Sequence, residues 1–201
     1  MYTQIEKLKQ IEHGFKPFEQ EAKEVVGSNS ITKSKEIAMH LLESQYYQLR
    51  CCAIFILGLI AKSDRSVIAT LKQCAVSDGS WQVQEIIAKA FDHFCAENGY
   101  QNSLPEINEW LSDKDPNVCR AVTEGLRIWT SRPYFKDHPQ IAIDLISKHK
   151  ASESEYLRMS VGNSLRDISK KHGELVEKEI LGWDLTIKRI VQTYEYVKKR
   201  H

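Results

Sequence analysis

Glycine and proline are scarce in this sequence, at 9 and 5 of 201 residues, and long hydrophobic runs are absent. The longest apolar stretch, "CCAIFILGLIA" over 51–61, is too short to span a bilayer. The amino-terminal stretch "MYTQIEKLKQIEHGFKPFEQEAKE" carries charges every few residues and lacks the apolar core of a signal peptide. We therefore expect a cytoplasmic protein that does not associate with membranes.

The five cysteines form no C-x-x-C pair, and no cluster of cysteine and histidine has the spacing of a zinc site. This pattern predicts neither a disulfide framework nor a bound metal, and we expect no other cofactor. The cysteines are expected to be reduced and mostly buried thiols, at Cys51, Cys52, Cys74, Cys95 and Cys119. The net charge is only +1, so a surface that binds a polyanion must be a local patch.

The composition is that of an ordinary folded protein, with 42% hydrophobic and 27% charged residues. Between Ile31 and Tyr196, apolar residues recur at helical rather than alternating spacing, which predicts an all-α fold. The length favours a single domain over 1–201.

A repeated segment organises the helices. "SDGSWQVQEIIAKAF" (77–91) aligns with "SDKDPNVCRAVTEGL" (112–126) at an offset of 35. A related copy, "SQYYQLRCCAIFIL" (44–57), precedes them, and another, "SESEYLRMSVGNSL" (152–165), follows. Repeats of this length predict a right-handed superhelical α-solenoid of HEAT-like antiparallel helix pairs. The second helices are predicted near 46–61, 79–97, 116–131 and 154–172, and their partners over 32–43, 65–76, 103–111 and 139–148.

The second helix of each pair should line the inner surface, so side chains opposite its core stripe are candidate binding residues. Counting about 100° per residue places Trp81 and Glu85 opposite the core stripe of their helix and Trp129 in the core. The same count predicts a groove that bears Tyr47, Phe55, Trp81, Glu85, Lys89, Arg120, Glu124, Arg127, Asn163, Arg166 and Lys170, with Asp167 on its flank.

Basic groups along such a groove can follow phosphates, and an exposed aromatic ring can stack on a ligand. Other interpretations remain open on the residues alone. Trp81 can pack against a neighbouring helix or the amino-terminal segment, and the arginines can form a solvated face with salt bridges. Asp167 can be a structural partner of Arg127 or Arg166, and Tyr47 and Phe55 can be buried under the amino-terminal helices.

Three stretches carry a resemblance to a known family: "SWQVQEIIAKAF", "CRAVTEGLRIWTSRPYF" and "YLRMSVGNSLRDISKKHGELV". The chain resembles the HEAT-repeat DNA alkylation repair proteins, the AlkC and AlkD superfamily of bacterial DNA glycosylases, over about residues 77–176. The pattern "RAV.EG.R.W..RP.F" followed by "SVGN.LRDISK.H" looks closest to AlkC-type sequences. The resemblance implies a glycosylase that excises positively charged alkylated purines from duplex DNA held on a basic concave groove.

The resemblance also implies roles for individual residues. It gives Trp81 a contact with the deoxyribose of the lesion and Glu85 the catalytic carboxylate. Glu124 and Asp167 are further candidate acids, as in AlkC-like members. Asn163 stands where AlkD-like members have a second tryptophan. The residues expected on DNA are Arg120, Arg127, Asn163, Arg166 and Lys170.

Two other functions stay open from the sequence. One is a catalytically inactive HEAT-repeat protein that binds alkylated or distorted DNA, and the other is a protein-interaction scaffold. We expect a monomer whichever of these functions applies. The basic tail "KKRH" (198–201) is expected to end a solvated helix.

Overall fold

The computed structural model describes residues 2–199, with side chains from Ile5 onwards; Arg200 and His201 of the predicted tail lie outside the described residues. Every regular element in this range is helical, which confirms the all-α prediction. The α-helices are α1 Tyr2–Lys7, α2 Lys16–Ser28, α3 Ile31–Leu42, α4 Tyr47–Ile60, α5 Val67–Ser77, α6 Trp81–Asn98, α7 Leu104–Leu111, α8 Pro116–Gly125, α9 Pro133–Asp137, α10 Pro139–Ser147, α11 Glu155–Leu181 and α12 Lys188–Lys198. Turns of 3-10 helix cover Leu8–Gln10 and Trp129–Ser131.

The four predicted repeats appear as four helices that begin at equivalent positions. Helices α4, α6, α8 and α11 begin 34, 35 and 39 residues apart, as the sequence alignment requires. The fourth residue of each helix donates a hydrogen bond to the backbone carbonyl six residues earlier, in the loop before the helix. These bonds run from Arg50 to Ser44 (2.9 Å), Gln84 to Asp78 (2.8 Å), Cys119 to Asp113 (3.3 Å) and Arg158 to Ser152 (2.6 Å). The equivalent loop carbonyl is therefore satisfied in every repeat, by arginine in the first and fourth, glutamine in the second and cysteine in the third.

The chain divides into two compact units between Asn98 and Gly99. In the first unit, α4 packs against α2, α3 and α6, and its apolar run is buried on nearly every side. In the second unit, α11 packs against α8, α10 and α12. A helix that is apolar all round belongs in a protein interior, which is why α4 lies at the centre of its unit. The assignment of 1–201 to one domain stays a prediction.

Aspartate carboxylates accept backbone N–H groups at the starts of two of these helices. Asp115 is the N-cap of α8, and its carboxylate accepts a hydrogen bond from the backbone N–H of Asn117 at 2.8 Å. Asp78 accepts from the N–H of Ser80 at 2.9 Å just before α6. These bonds satisfy amide donors that would otherwise lack partners at a helix start.

One of these helices ends earlier than predicted, and another ends at a break. The helix expected over 116–131 ends at Gly125, and the chain turns away before Trp129 enters a 3-10 turn. Arg132 Nη2 donates to the carbonyls of Gly125 and Arg127 at 3.2 Å each, which satisfies acceptors exposed where the helix stops. The helix expected over 154–172 reaches a break in helical geometry at His172, where the prediction ended it, and a second helical segment continues to Leu181.

The thiol predictions agree with the structure. All five cysteines are free, and four of them are buried; Cys74 is half-buried. Burial raises the pKa of the Cys51 thiol to about 12 and that of Cys119 to about 11, so both thiols stay protonated at neutral pH. Within residues 2–199, no helix combines the length and the apolar character needed to cross a bilayer.

Candidate nucleic-acid interface

Four polar or aromatic side chains form one column on α6. Trp81, Glu85, Lys89 and His93 follow one another at four-residue spacing, which places them on the same face of the helix. The opposite face carries the core stripe, including Val83, Ile87 and Phe91. The faces deduced from the sequence are therefore those of the structure. We call this set the α6 column.

Trp81 opens the α6 column at the first turn of the helix and is 66% exposed. Its indole meets the ring of Phe15 edge-on, with ring centroids 6.4 Å apart. Phe15 also lies 5.0 Å from the ammonium of Lys89, measured to the ring centroid. The amino-terminal segment thus contacts one edge of the tryptophan, while most of its surface stays open to a ligand.

Glu85 lies one helical turn after Trp81, about 6 Å further along the helix axis. Its side chain is half-buried between Trp81 and Lys89 in the α6 column. A carboxylate held at this depth beside an exposed indole can face a ligand that stacks or rests on the ring. This pair is the chemically most informative feature of the first unit.

The second unit brings four of the predicted site residues into one ion cluster, consisting of Glu124, Arg127, Asp167 and Lys170. Arg127 Nε lies 2.7 Å from Asp167 Oδ2, and Lys170 Nζ lies 2.8 Å from Asp167 Oδ1. Arg127 Nη1 also lies 3.5 Å from Glu124 Oε2. Of the two interpretations left open for Asp167, the structure shows the pairing with Arg127. We call these residues the Asp167 cluster.

Electrostatics within the Asp167 cluster hold its members in their charged forms. The side chain of Asp167 is only 8% exposed, and burial acts to raise its pKa. Hydrogen bonds from Lys170 and Arg127, together with their charges, outweigh burial and bring the pKa of Asp167 below its usual value. For Arg127, burial acts to lower the pKa, but Asp167 and Glu124 raise it above the usual value. Both charges are therefore retained at neutral pH.

The other predicted contact residues of the second unit differ in their surroundings. Arg166 donates from Nη1 to the carbonyl of Tyr196 at 3.0 Å, so part of its guanidinium contacts α12. Arg120 and Asn163 are half-buried on α8 and α11, and Lys170 is exposed. These residues are accessible in part, and Arg127, Arg166 and Lys170 also have protein partners.

The structure adds three residues that sequence reasoning did not single out: Phe15, Lys23 and His93. His93 could have been found by extending the four-residue column from Trp81 by two steps. Phe15 and Lys23 could not, because their proximity to α6 depends on packing between distant segments. Among the described residues, no group of three or more His, Cys, Asp or Glu side chains could hold a metal ion.

Most of the chain matches a known protein family. A family model described as DNA alkylation repair enzyme matches residues 8–180 of the chain. In a comparison with curated proteins, the uncharacterized protein YhaZ of Bacillus subtilis (strain 168) is 33% identical over 87 residues, which are 41% of this chain and 24% of that protein. The chain therefore matches about a quarter of the length of this relative.

Solved structures show the same fold. The crystal structure of AlkD2 from Streptococcus mutans has a TM-score of 0.93 and 44% sequence identity, with 97% of this chain and 96% of that chain covered. The structure of smu.31 from Streptococcus mutans UA159 has a TM-score of 0.91 and 42% identity over the same shares. Pseudomonas fluorescens AlkC, bound to DNA containing an abasic site analog, has a TM-score of 0.64 and 24% identity, with 84% of this chain and 45% of that chain covered. At that identity the AlkC likeness is one of fold.

Proposed function

The chain belongs to the family of DNA alkylation repair enzymes, and from this premise we propose that it hydrolyses the N-glycosidic bond of positively charged alkylated purines in duplex DNA. A cationic base is already a good leaving group, so the reaction needs little general acid. It needs negative charge beside the deoxyribose, where an oxocarbenium ion develops, and a positioned water. The observation that carries the proposal is the exposed indole of Trp81 with the carboxylate of Glu85 one turn away on the same face.

In this mechanism Glu85 stabilises the developing positive charge on the sugar and orients the attacking water. Its half-buried position strengthens the electrostatic effect, because charges interact more strongly where water is partly excluded. Trp81 contacts the sugar through its exposed face, and Phe15 fixes the edge of the indole. Loss of one preorganised electrostatic group typically slows catalysis by about 10²–10³-fold.

The basic residues of the second unit supply contacts to DNA phosphates in this proposal. Arg120, Arg127, Arg166 and Lys170 are the candidates, and each of them keeps accessible surface. Asp167 and Glu124 act as positioning residues rather than as further catalytic acids. A carboxylate that is already paired with Arg127 and Lys170 has less negative charge to offer an oxocarbenium ion.

Two further findings support DNA as the ligand. The family description names DNA alkylation repair, and AlkC, a protein of the same fold, was solved on DNA containing an abasic site analog. Release of a base from DNA leaves an abasic site, so a relative bound to an analogue of that product fits the proposed reaction.

A duplex containing one N-methylated purine tests the proposal. Wild-type protein is expected to release the free base, and Glu85→Gln, which keeps the size of the side chain, is expected to slow release by about 10²–10³-fold. Trp81→Phe tests the sugar contact, since it preserves an aromatic ring at the same place. Equal rates for wild type and Glu85→Gln would refute the assigned role.

A second candidate is a protein that binds DNA without releasing bases. It is favoured by Asn163, which stands where AlkD-like members have a tryptophan, and by the pairing of Asp167 within the Asp167 cluster. This function predicts DNA binding that weakens steeply with salt and no free base in the same assay.

A further inference from the structure

A pocket of about 250 Å³ lies in the first unit, between α2, α4 and α6. Phe55 and Gly58 of α4 form part of its lining. A Cβ added to Gly58 would lie 2.8 Å from the Cβ of Ala90, so the glycine lets α4 and α6 approach closely beneath the pocket. The volume is slightly below the range of about 300–1,000 Å³ typical of drug-sized ligand sites, which suits a small group rather than a large molecule.

Basic side chains dominate the polar lining. Lys23 comes from α2, and Lys89 and His93 come from α6. The one carboxylate among the lining residues, Glu19, is paired with Lys23 at 2.6 Å. The hydrogen bond from Lys23, together with the charges of Lys23, Lys89 and His93, lowers the pKa of Glu19, which therefore stays ionised. With Glu19 paired to Lys23, an excess of positive charge remains at Lys89 and, on protonation, at His93.

The pocket adjoins the candidate site through the α6 column. Lys89 lines the pocket and also contacts the ring of Phe15, whose edge meets Trp81. Lys89 follows Glu85 by one helical turn, about 6 Å along the helix axis. A ligand that extends from Trp81 along the column reaches the pocket next.

We propose that this pocket binds the phosphate group of a nucleotide, with Lys89 as the principal contact and Lys23 and His93 on its sides. Lysine offers a compact charge with three donors, and a protonated imidazole adds a further donor, a combination suited to phosphate oxygens. Phe15 packs against Lys89, which holds the ammonium at the pocket entrance. The proposal rests on the proposed function for DNA as the source of the phosphate, whereas the phosphate chemistry follows from the lining.

Binding to an undamaged labelled duplex tests the pocket through salt dependence. Lys89→Met removes the charge but keeps an apolar stem on Phe15, and Lys62→Met is the matched control. Lys62 is 58% exposed, pairs with Glu97 and does not line the pocket. Loss of one phosphate contact reduces the slope of log affinity against log salt by about 0.9. We take wild type and Lys89→Met to bind the duplex equally at about 1 M salt. Lys89→Met should then bind roughly 15-fold more weakly than wild type at about 50 mM salt and roughly 4-fold more weakly at about 200 mM.

A second readout distinguishes the source of the phosphate and does not require DNA. The ring-proton NMR signal of His93, assigned with His93→Gln, is followed during titration with dAMP and with inorganic phosphate. A shift in wild type that Lys89→Met abolishes shows that the pocket accepts a free phosphate monoester or phosphate. If Lys89→Met weakens duplex binding but neither dAMP nor phosphate shifts the His93 signal, the pocket binds the phosphodiesters of the DNA backbone. Thermal unfolding of each variant verifies that the fold is intact.

The outcomes separate this proposal from the proposed function. If Lys89→Met and Lys62→Met behave alike with duplex, dAMP and phosphate, the pocket proposal is overturned, whatever the result of the base-release assay. If binding depends on Lys89 but no base is released, the pocket stands and the glycosylase proposal falls.

Discussion

Replacement of Asp167 by asparagine is the most informative perturbation of stability in the second unit. Asp167 is 8% exposed and holds both Arg127 and Lys170, so the substitution removes the negative charge between two cations. The asparagine retains one oxygen acceptor, so packing and part of the hydrogen bonding persist. The variant therefore isolates the contribution of charge.

The size of the effect follows from the two contacts. The bond from Arg127, 31% exposed, is a charge-assisted hydrogen bond worth about 1.5–3 kcal/mol. The contact with Lys170, whose side chain is 57% exposed, contributes at most about 1 kcal/mol. Because asparagine keeps some of this hydrogen bonding, we expect a loss of about 2 kcal/mol in unfolding free energy. For a chain of this length, that loss corresponds to a fall in Tm of roughly 4–8 °C.

Urea unfolding followed by far-UV circular dichroism, repeated from pH 7 to pH 3, measures both the size and the pH dependence. The folded pKa of Asp167 lies below its usual value near 3.9, so its stabilisation is fully present above about pH 5. It is lost as the pH falls through the folded pKa. The gap between wild type and Asp167→Asn should narrow over that acidic range.

Asp144→Asn is the matched control, because Asp144 is an exposed acid on α10 that accepts a hydrogen bond from the neutral amide of Gln140. It should change the unfolding free energy by less than about 0.5 kcal/mol. A difference below about 0.5 kcal/mol for Asp167→Asn at pH 7 would refute the ion-cluster reasoning. A large difference that stays constant down to pH 3 would show that the effect does not come from the carboxylate charge.

Two further predictions concern packing and loop anchoring. Gly162→Ala should cost about 1–3 kcal/mol of stability in thermal unfolding, because its Cβ would clash with the Cβ of Tyr196 and lie 2.9 Å from the carbonyl oxygen of Thr193. Gly173→Ala should be tolerated, because an added Cβ there would meet no atom within 4 Å beyond its chain neighbours and its own helix backbone. Arg50→Met should cost about 2–3 kcal/mol in urea unfolding, because it leaves the carboxylate of Asp78, now 2.6 Å from Arg50 Nε, without its guanidinium; an unchanged midpoint would contradict this account.

The repeat register was predictable because it depends on local information. Each copy keeps the same apolar spacing and a short polar loop before its second helix. The helices begin at Tyr47, Trp81, Pro116 and Glu155, within two residues of the predicted starts. The same periodicity separated the buried Trp129 from the exposed Trp81.

The end of α8 was not predictable from periodicity. The apolar spacing continues through Trp129, so the pattern favours one helix to residue 131. In the structure Trp129 lies in a 3-10 turn, and its side chain is buried in the core. Its indole N–H donates a hydrogen bond to the carbonyl of Thr123 at 3.1 Å. A local hydrogen bond, to a carbonyl six residues earlier, satisfies the buried indole and allows the core position to be filled without a continuous helix.

Contacts between residues far apart in the sequence could not be predicted either. The pairing of Arg127 with Asp167 spans 40 residues, and the sequence left it as one of several alternatives. The contact of Phe15 with Trp81 joins the amino-terminal segment to α6, and no helical periodicity links them. Side-chain faces follow from local geometry, whereas these pairings depend on how the helices pack.

The central claim is that Glu85 is the catalytic carboxylate of a DNA alkylpurine glycosylase. Single-turnover release of the free base from a duplex with one N-methylated purine, measured for wild type and Glu85→Gln, tests it most directly. The account predicts base release by wild type and a rate about 10²–10³-fold lower for the variant. No release by wild type, or equal rates for the two proteins, would contradict it.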